Sequence, residues 1–204
     1  MSSRSTRSTR RRLLLGAVAL LALALGAGVA LWSGRVAPPK GYPGLGGDFT
    51  LRSSTGPVSL ADFRGKAVLL YFGYTFCPDV CPTTLATIAA ALQELPQEQR
   101  DRVQVIMISV DPERDTLDRL AEYVRYFDPG FLGVTGTAEE IEGVLKQYRA
   151  VAMKVPNEKE PEHYAVDHSA HTYLIGPRGN VLGLIPYGAA PARYVEALKQ
   201  AIEH

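Results

Sequence analysis

The chain has 204 residues, 46% of them hydrophobic, and its 22 basic and 21 acidic side chains nearly cancel to a formal charge of +1. Seven of the cations fall in the first 47 residues, which leaves the remainder at a formal −6 with no basic cluster. That remainder is long enough to bury one core, free of repeats and low-complexity tracts, and a poor surface for nucleic acid.

The first twelve residues carry Arg4, Arg7, Arg10, Arg11 and Arg12 and no acid. An uncharged run follows from Leu13 to Leu31, nineteen residues that reach roughly 28 Å as a helix, about the thickness of a bilayer's hydrocarbon core. The basic flank predicts a cytoplasmic N-terminus and an exported remainder. The run is longer than the apolar core of a cleaved signal peptide, and no Ala-x-Ala site stands out at its far end. Residues 13–31 are therefore read as an uncleaved transmembrane helix, single-pass in the cytoplasmic membrane. Residues 32–47, rich in Pro and Gly, read as a linker, and residues 48–204 as one exported domain.

Within that domain, Phe49 to Leu51 and Val58 to Leu60 are strand-like pieces around a Ser-Ser-Thr-Gly-Pro turn. Ala67 to Tyr74 is a continuous apolar run, as expected of a strand buried on both faces. Leu85, Ile88, Leu92 and Leu95 then fall at helical spacing and stop at Pro96. Val103 to Val110 is a second buried strand, and Leu117, Leu120, Val124 and Phe127 mark an amphipathic helix. After a brief strand at Phe131 to Val134, Thr137-Ala-Glu-Glu140 is a capping box that opens a helix to about Tyr148. Met153 to Tyr164, charged and broken by prolines, reads as a long loop. His171 to Ile175 and Val181 to Ile185 form a β-hairpin, and Pro191 begins a last helix with Val195, Leu198 and Ile202 on one face. Strands alternating with helices predict an α/β domain whose sheet is covered on both faces.

Cys77 and Cys81, the only cysteines, sit where a buried strand hands over to a helix. That placement suggests the thioredoxin architecture, with a central mixed sheet flanked by helices. A helix N-terminus favours thiolates, and i, i+4 spacing puts both sulfurs on one helical face. Two such groups can grip a soft metal ion or form a disulfide and release it. The spacing is one residue wider than the Cys-x-x-Cys of disulfide oxidoreductases, which suits joint metal binding better than rapid exchange. No proline directly precedes the Thr172–Ile175 strand, where those enzymes place one beside the thiols. In an exported compartment a dithiol also needs a reductant or a metal to stay reduced.

His168 lies at the joint between the long loop and the hairpin, beside the cysteine helix in a thioredoxin-like fold. Asp167 is placed to orient its ring. Asp111 and Asp115 lie between a strand and a helix, where N-capping accounts for them, with a part in the site as the alternative. Two thiolates suit Cu(I), and a third imidazole ligand allows Cu(II) as well. Structural zinc prefers four protein ligands in a closed site.

Phe72-Gly-Tyr-Thr-Phe-Cys-Pro-Asp-Val-Cys-Pro82, Ser109-Val-Asp-Pro-Glu-Arg-Asp-Thr116, Val166-Asp-His-Ser169 and Tyr173-Leu-Ile-Gly-Pro177 occur in this order. They closely resemble the Sco/SenC family of copper-binding proteins, and the resemblance runs from about Asp48 to Ile202. It implies a membrane-anchored thioredoxin-like protein that supplies copper to the dinuclear CuA centre of cytochrome c oxidase. It also implies one copper per domain, held by Cys77, Cys81 and His168. The partners expected are the apo CuA-bearing subunit, a copper donor protein and a thiol reductant. A binding protein rather than an enzyme is the first reading. The second is a thiol-disulfide oxidoreductase that uses a Cys77–Cys81 redox disulfide to reduce the CuA-site cysteines. His171 departs from the apolar residue expected at its position and leaves room for an accessory copper contact.

Overall fold

The computed structural model describes residues 41–160 and 163–203. The predicted basic terminus and transmembrane helix lie outside them, and among the described residues no helix is long and apolar enough to cross a membrane. The strands are β1 (Thr50–Ser53), β2 (Gly56–Ser59), β3 (Ala67–Gly73), β4 (Val103–Ser109), β5 (Leu132–Val134), β6 (Ala152–Val155), β7 (Ala165–His168), β8 (Thr172–Ile175) and β9 (Val181–Ile185). The helices are α1 (Val80–Gln93), the single turn α2 (Gln97–Arg100), α3 (Leu117–Phe127), α4 (Ala138–Tyr148) and α5 (Pro191–Ile202).

Five strands form the central sheet in the order β5-β4-β3-β8-β9. β3 runs parallel to β4 and antiparallel to β8, so the sheet is mixed and β3 lies at its centre. Every residue of β3 is buried, as its unbroken apolar run requires. Its alternating side chains feed two cores. Leu69 and Tyr71 pack on one face with Leu85 and Ile88 of α1, Leu120 of α3 and Leu198 of α5. Val68, Leu70 and Phe72 pack on the other with Ile141 and Tyr148 of α4 and with Leu51 and Val58 of the β1–β2 hairpin. Each such fully buried Leu or Ile contributes roughly 1.5–3 kcal/mol. An α/β, thioredoxin-like layering results, with the cysteine helix on the first face.

The predicted capping box is present. Thr137 N–H donates to Glu140 Oε2 (2.7 Å) and Glu140 N–H donates to Thr137 Oγ1 (3.2 Å). Helix α4 then ends on Arg149 in the left-handed region. Pro191 occupies the first turn of α5, where its missing N–H has no intrahelical partner to lose.

Two segments depart from expectation. The stretch read as a long loop is the connection of a hairpin: its first three residues, Met153 to Val155, belong to β6, which pairs antiparallel with β7 from Ala152↔His168 to Val155↔Ala165. This pair forms a separate two-stranded sheet with no ladder to the central one. The end of the predicted linker is hydrogen-bonded to the domain. Tyr42 N–H donates to the Val181 carbonyl (2.9 Å), Gly46 N–H to the Gln147 carbonyl (2.8 Å), and Tyr148 Oη to the Gly47 carbonyl (3.0 Å).

Candidate metal centre

β3 runs straight into the cysteine turn, and its last residue has to be small. A Cβ on Gly73 would stand 2.9 Å from Cys81 Sγ and 2.8 Å from the Tyr71 ring. Glycine thus lets the second sulfur lie against the strand end. In the first turn of α1, Asp79 at the N-cap makes no side-chain capping bond. Instead Cys81 N–H donates to Cys77 Sγ (3.4 Å), so sulfur takes one of the helix's unpaired N–H groups. Pro82 follows, in a turn that has no use for its N–H. Cys81 is fully buried, whereas Cys77 is half-buried and both are free thiols.

From the other side β7 delivers His168. Its Nε2 lies 3.4 Å from Cys81 Sγ, and one ligand atom from each of Cys77, Cys81 and His168 falls within 4.8 Å of the others. Three ligands about 2.0–2.3 Å from a shared ion in a trigonal arrangement stand roughly 3.5–4 Å apart. The observed cluster is at that scale. His168 Nδ1 is 3.2 Å from the Ser169 carbonyl oxygen. That carbonyl holds the ring with Nε2 facing the sulfurs. The ring meets Tyr71 and Tyr74 edge-on, with centroids 6.0 and 5.8 Å away, and Val166 N–H donates to Tyr74 Oη (3.3 Å).

The two thiols are unequal. Cys77 is held down to about 3, first by a hydrogen bond from the Cys81 thiol, against burial, and then by His168 and backbone N–H groups. Cys81 is pushed up, as the donor in that bond and by its burial. One proton thus stays on the buried sulfur while the outer one is a thiolate. Tyr71 Oη donates to Cys81 Sγ (3.6 Å), and burial and the nearby sulfur raise Tyr71 as well.

The acidic residues singled out from the sequence divide. Asp167 alternates to the exposed side of β7, and the ring orientation expected of it is supplied by the Ser169 carbonyl. Asp111 and Asp115 are buried and are not helix caps, because Thr116 caps α3 by accepting from Arg119 N–H (3.3 Å). Asp115 accepts from Thr75 N–H (3.0 Å), Thr75 Oγ1 (2.5 Å) and Ser109 Oγ (2.6 Å), and so props the loop that carries Cys77. Asp111 accepts from Tyr164 Oη (2.6 Å) and Arg114 Nε (2.5 Å), on the side of His168. Arg114 and Tyr164 were not anticipated as parts of the site. Both stand within or beside the motifs quoted above, and only the fold brings them together.

His171 lies elsewhere. Its ring lies tilted by 58° against Tyr173 with centroids 4.6 Å apart, and it lines a cavity of about 270 Å³ with Tyr42, Tyr148 and Arg149. Burial lowers its pKa. Among the described residues, the candidate ligand cluster does not include it.

A thioredoxin-like domain with two thiols and an imidazole converging at a helix mouth defines a class of soft-metal-binding protein. The SCO1/SenC family model matches residues 38–203, and the chain belongs to that family. It is 42% identical over 144 residues to the mitochondrial SCO1 homolog 1 of Arabidopsis thaliana. That alignment takes in 70% of this chain and 42% of the relative, so the chain spans less than half of the relative's length. Two similar structures were solved with copper bound. Arabidopsis thaliana ScoI superposes with a TM-score of 0.72 at 36% identity, covering 78% of this chain and 99% of the other. Bradyrhizobium japonicum ScoI does so with a TM-score of 0.70 at 38% identity, covering 77% and 99%.

Proposed function

We propose that this chain is a membrane-anchored copper metallochaperone that delivers its ion to the CuA centre of cytochrome c oxidase. The convergence of Cys77, Cys81 and His168 carries the reading, and copper in the two similar structures supports the choice of metal. Copper is cargo here, so the site has to bind it and also let it go.

Cys77, already a thiolate, offers the first bond, and the ion displaces the proton of Cys81 as the second thiolate forms. Nε2 of His168 supplies the third ligand. Cu(I) is satisfied by the two sulfurs alone, whereas Cu(II) draws more on the imidazole. Release runs in the opposite order. Thiolates of the apo CuA-bearing subunit displace the imidazole first and then take the ion from the two cysteines one bond at a time. A copper donor protein loads the site, and a thiol reductant keeps the cysteines open. Residues 1–12, 13–31 and 32–47, as basic terminus, transmembrane helix and linker, would hold the domain on the exported side of the cytoplasmic membrane beside its acceptor.

One observation favours a second activity. The unequal cysteines, a half-buried thiolate and a buried thiol, are what disulfide reduction asks for. Cys77 would attack a disulfide of the CuA site, and Cys81 would then displace the mixed disulfide, releasing two thiols and leaving a Cys77–Cys81 disulfide. No imidazole is needed for that reaction. Copper titration of the full chain separates the readings: the reduced protein should take up one copper and the disulfide form none. Equal uptake by the two forms would rule out a dithiolate copper site.

A further inference from the structure

The ligand-bearing hairpin is weakly held by its own strands. β6 is largely exposed and β7 buries only Val166, and neither joins the central sheet. The separation between His168 and the cysteines is therefore set by side-chain contacts: Tyr74 Oη takes Val166 N–H, Lys154 pairs with Glu113, and a further group gathers on one residue. Arg114 Nε donates to Asp111 Oδ2 (2.5 Å) and Nη1 donates to the Tyr164 carbonyl oxygen (2.9 Å). Its guanidinium carbon lies 3.5 Å from the centroid of the Tyr164 ring and 4.8 Å from that of Phe76. Tyr164 Oη closes the ring of contacts on Asp111 Oδ1 (2.6 Å).

Phe76 is the neighbour of Cys77, and Tyr164 precedes β7 and His168. Arg114 is thus wedged between the segment that carries the first thiolate and the segment that carries the imidazole. Its side chain is only 15% exposed and opposes an Asp111 that is fully buried. Among the described residues, Arg114 Nη2 is buried without a hydrogen-bond partner. The guanidinium faces the Tyr164 and Phe76 rings as well as the Asp111 carboxylate. A planar fork that can bond edge-on and stack face-on at once is a property of arginine that lysine lacks.

We propose that Arg114 is a positioning residue for the metal centre. By clasping Tyr164 to Asp111 and to Phe76 it presets the distance from His168 to the two sulfurs, and so sets the balance between Cu(II), which uses the imidazole, and Cu(I), which does not need it. The proposal rests on Cys77, Cys81 and His168 being copper ligands. It predicts that loss of the clasp acts selectively on one oxidation state, which a merely structural residue would not do.

The test compares full-length wild type, Arg114→Gln, Arg114→Lys, Tyr164→Phe and the exposed-loop control Lys159→Gln, each reduced and metal-free. Cu(I) affinity is read by competition with a chromophoric chelator, and Cu(II) affinity by the same means together with the thiolate-to-Cu(II) absorption band. Arg114→Gln should lower Cu(II) affinity by about tenfold or more, the scale for an outer partner of a ligand, while Cu(I) changes by less than about threefold. The absorption band should shift. Arg114→Lys should behave as Arg114→Gln, Tyr164→Phe should move in the same direction by less, and Lys159→Gln should match wild type. Equal losses of both oxidation states, no loss of either, or full recovery in Arg114→Lys would overturn the proposal. If Arg114→Gln is unfolded by circular dichroism, Tyr164→Phe decides by the same criterion. Failure of wild type to bind copper would instead remove the copper reading, and this proposal with it.

Discussion

The inequality of the two cysteines is open to direct measurement through the alkylation rate of Cys77 against pH. An ordinary cysteine of pKa near 8.5 is about 0.3% thiolate at pH 6 and roughly a quarter thiolate at pH 8, so its rate rises about 75-fold between them. Cys77, held at about 3 by the Cys81 thiol, is fully thiolate across that window. It gains about 300-fold in thiolate at pH 6. Nucleophilicity falls with pKa at a Brønsted slope of 0.4–0.5, and over about 5.5 units that removes roughly 150–600-fold. The two nearly cancel, so the absolute rate at pH 6 says little and the slope says everything. Iodoacetamide labelling of the reduced, chelator-treated protein, with peptide mapping to separate the two sites, should give a rate at Cys77 that is flat from pH 5 to 8. Cys81→Ala removes the donor and should restore part of the slope. A rate at Cys77 that climbs about tenfold per pH unit in the unmodified protein would refute the assignment. Stability follows with a definite sign. Because the folded pKa lies below the unfolded one, the contribution of Cys77 is complete above about pH 8.5 and is lost as pH falls towards 3.

His168→Ala should weaken Cu(II) by more than the roughly 10–100-fold typical of an outer partner, and Cu(I) far less, in paired chelator competitions. An unchanged Cu(II) spectrum would take the imidazole out of the site. Gly73→Ala places a methyl group against Cys81 Sγ and the Tyr71 ring and should cost about 1–3 kcal/mol in urea unfolding, with copper uptake reduced as well. A variant as stable and as competent as wild type would show that the contact gives way freely. His171→Ala should leave copper affinity and spectra unchanged while losing about 0.5–1.5 kcal/mol from its contact with Tyr173. A change in the metal spectrum would reinstate it as an accessory ligand.

What could be read from the chain depended on how each segment earns its place. β3 and β4 are buried almost throughout, so their apolar runs identified them, and the spacing of Leu85, Ile88 and Leu92 identified α1. The β6–β7 hairpin escaped because it does not follow the pattern by which strands are recognised. Its residues are mostly exposed, and Lys154 sits opposite Val166, where alternation would call for a buried side chain. The cysteine pair was visible because both copies fall in one turn. His168 stood out by its place at a joint, but the residues that hold it did not. Arg114 and Tyr164 are fifty positions apart, and the link between them is a contact of the folded state that no local spacing encodes. Asp167 was misassigned for a simpler reason: neighbours along a strand point to opposite faces, so the residue beside a ligand is among the least able to reach its ring.

The hairpin's isolation has a consequence for rates. β3 is locked by seven paired positions to β4 and four to β8, so opening it amounts to global unfolding. β6 and β7 share four pairs with each other and none with the central sheet. Swinging that hairpin outward withdraws Val166 from one core but leaves the central sheet and the other core intact, and such sub-global openings proceed at smaller free energies than unfolding. The lifetime of the imidazole contact can thus be shortened or lengthened by changes in the hairpin and its clasp while the folded lifetime of the domain stays the same.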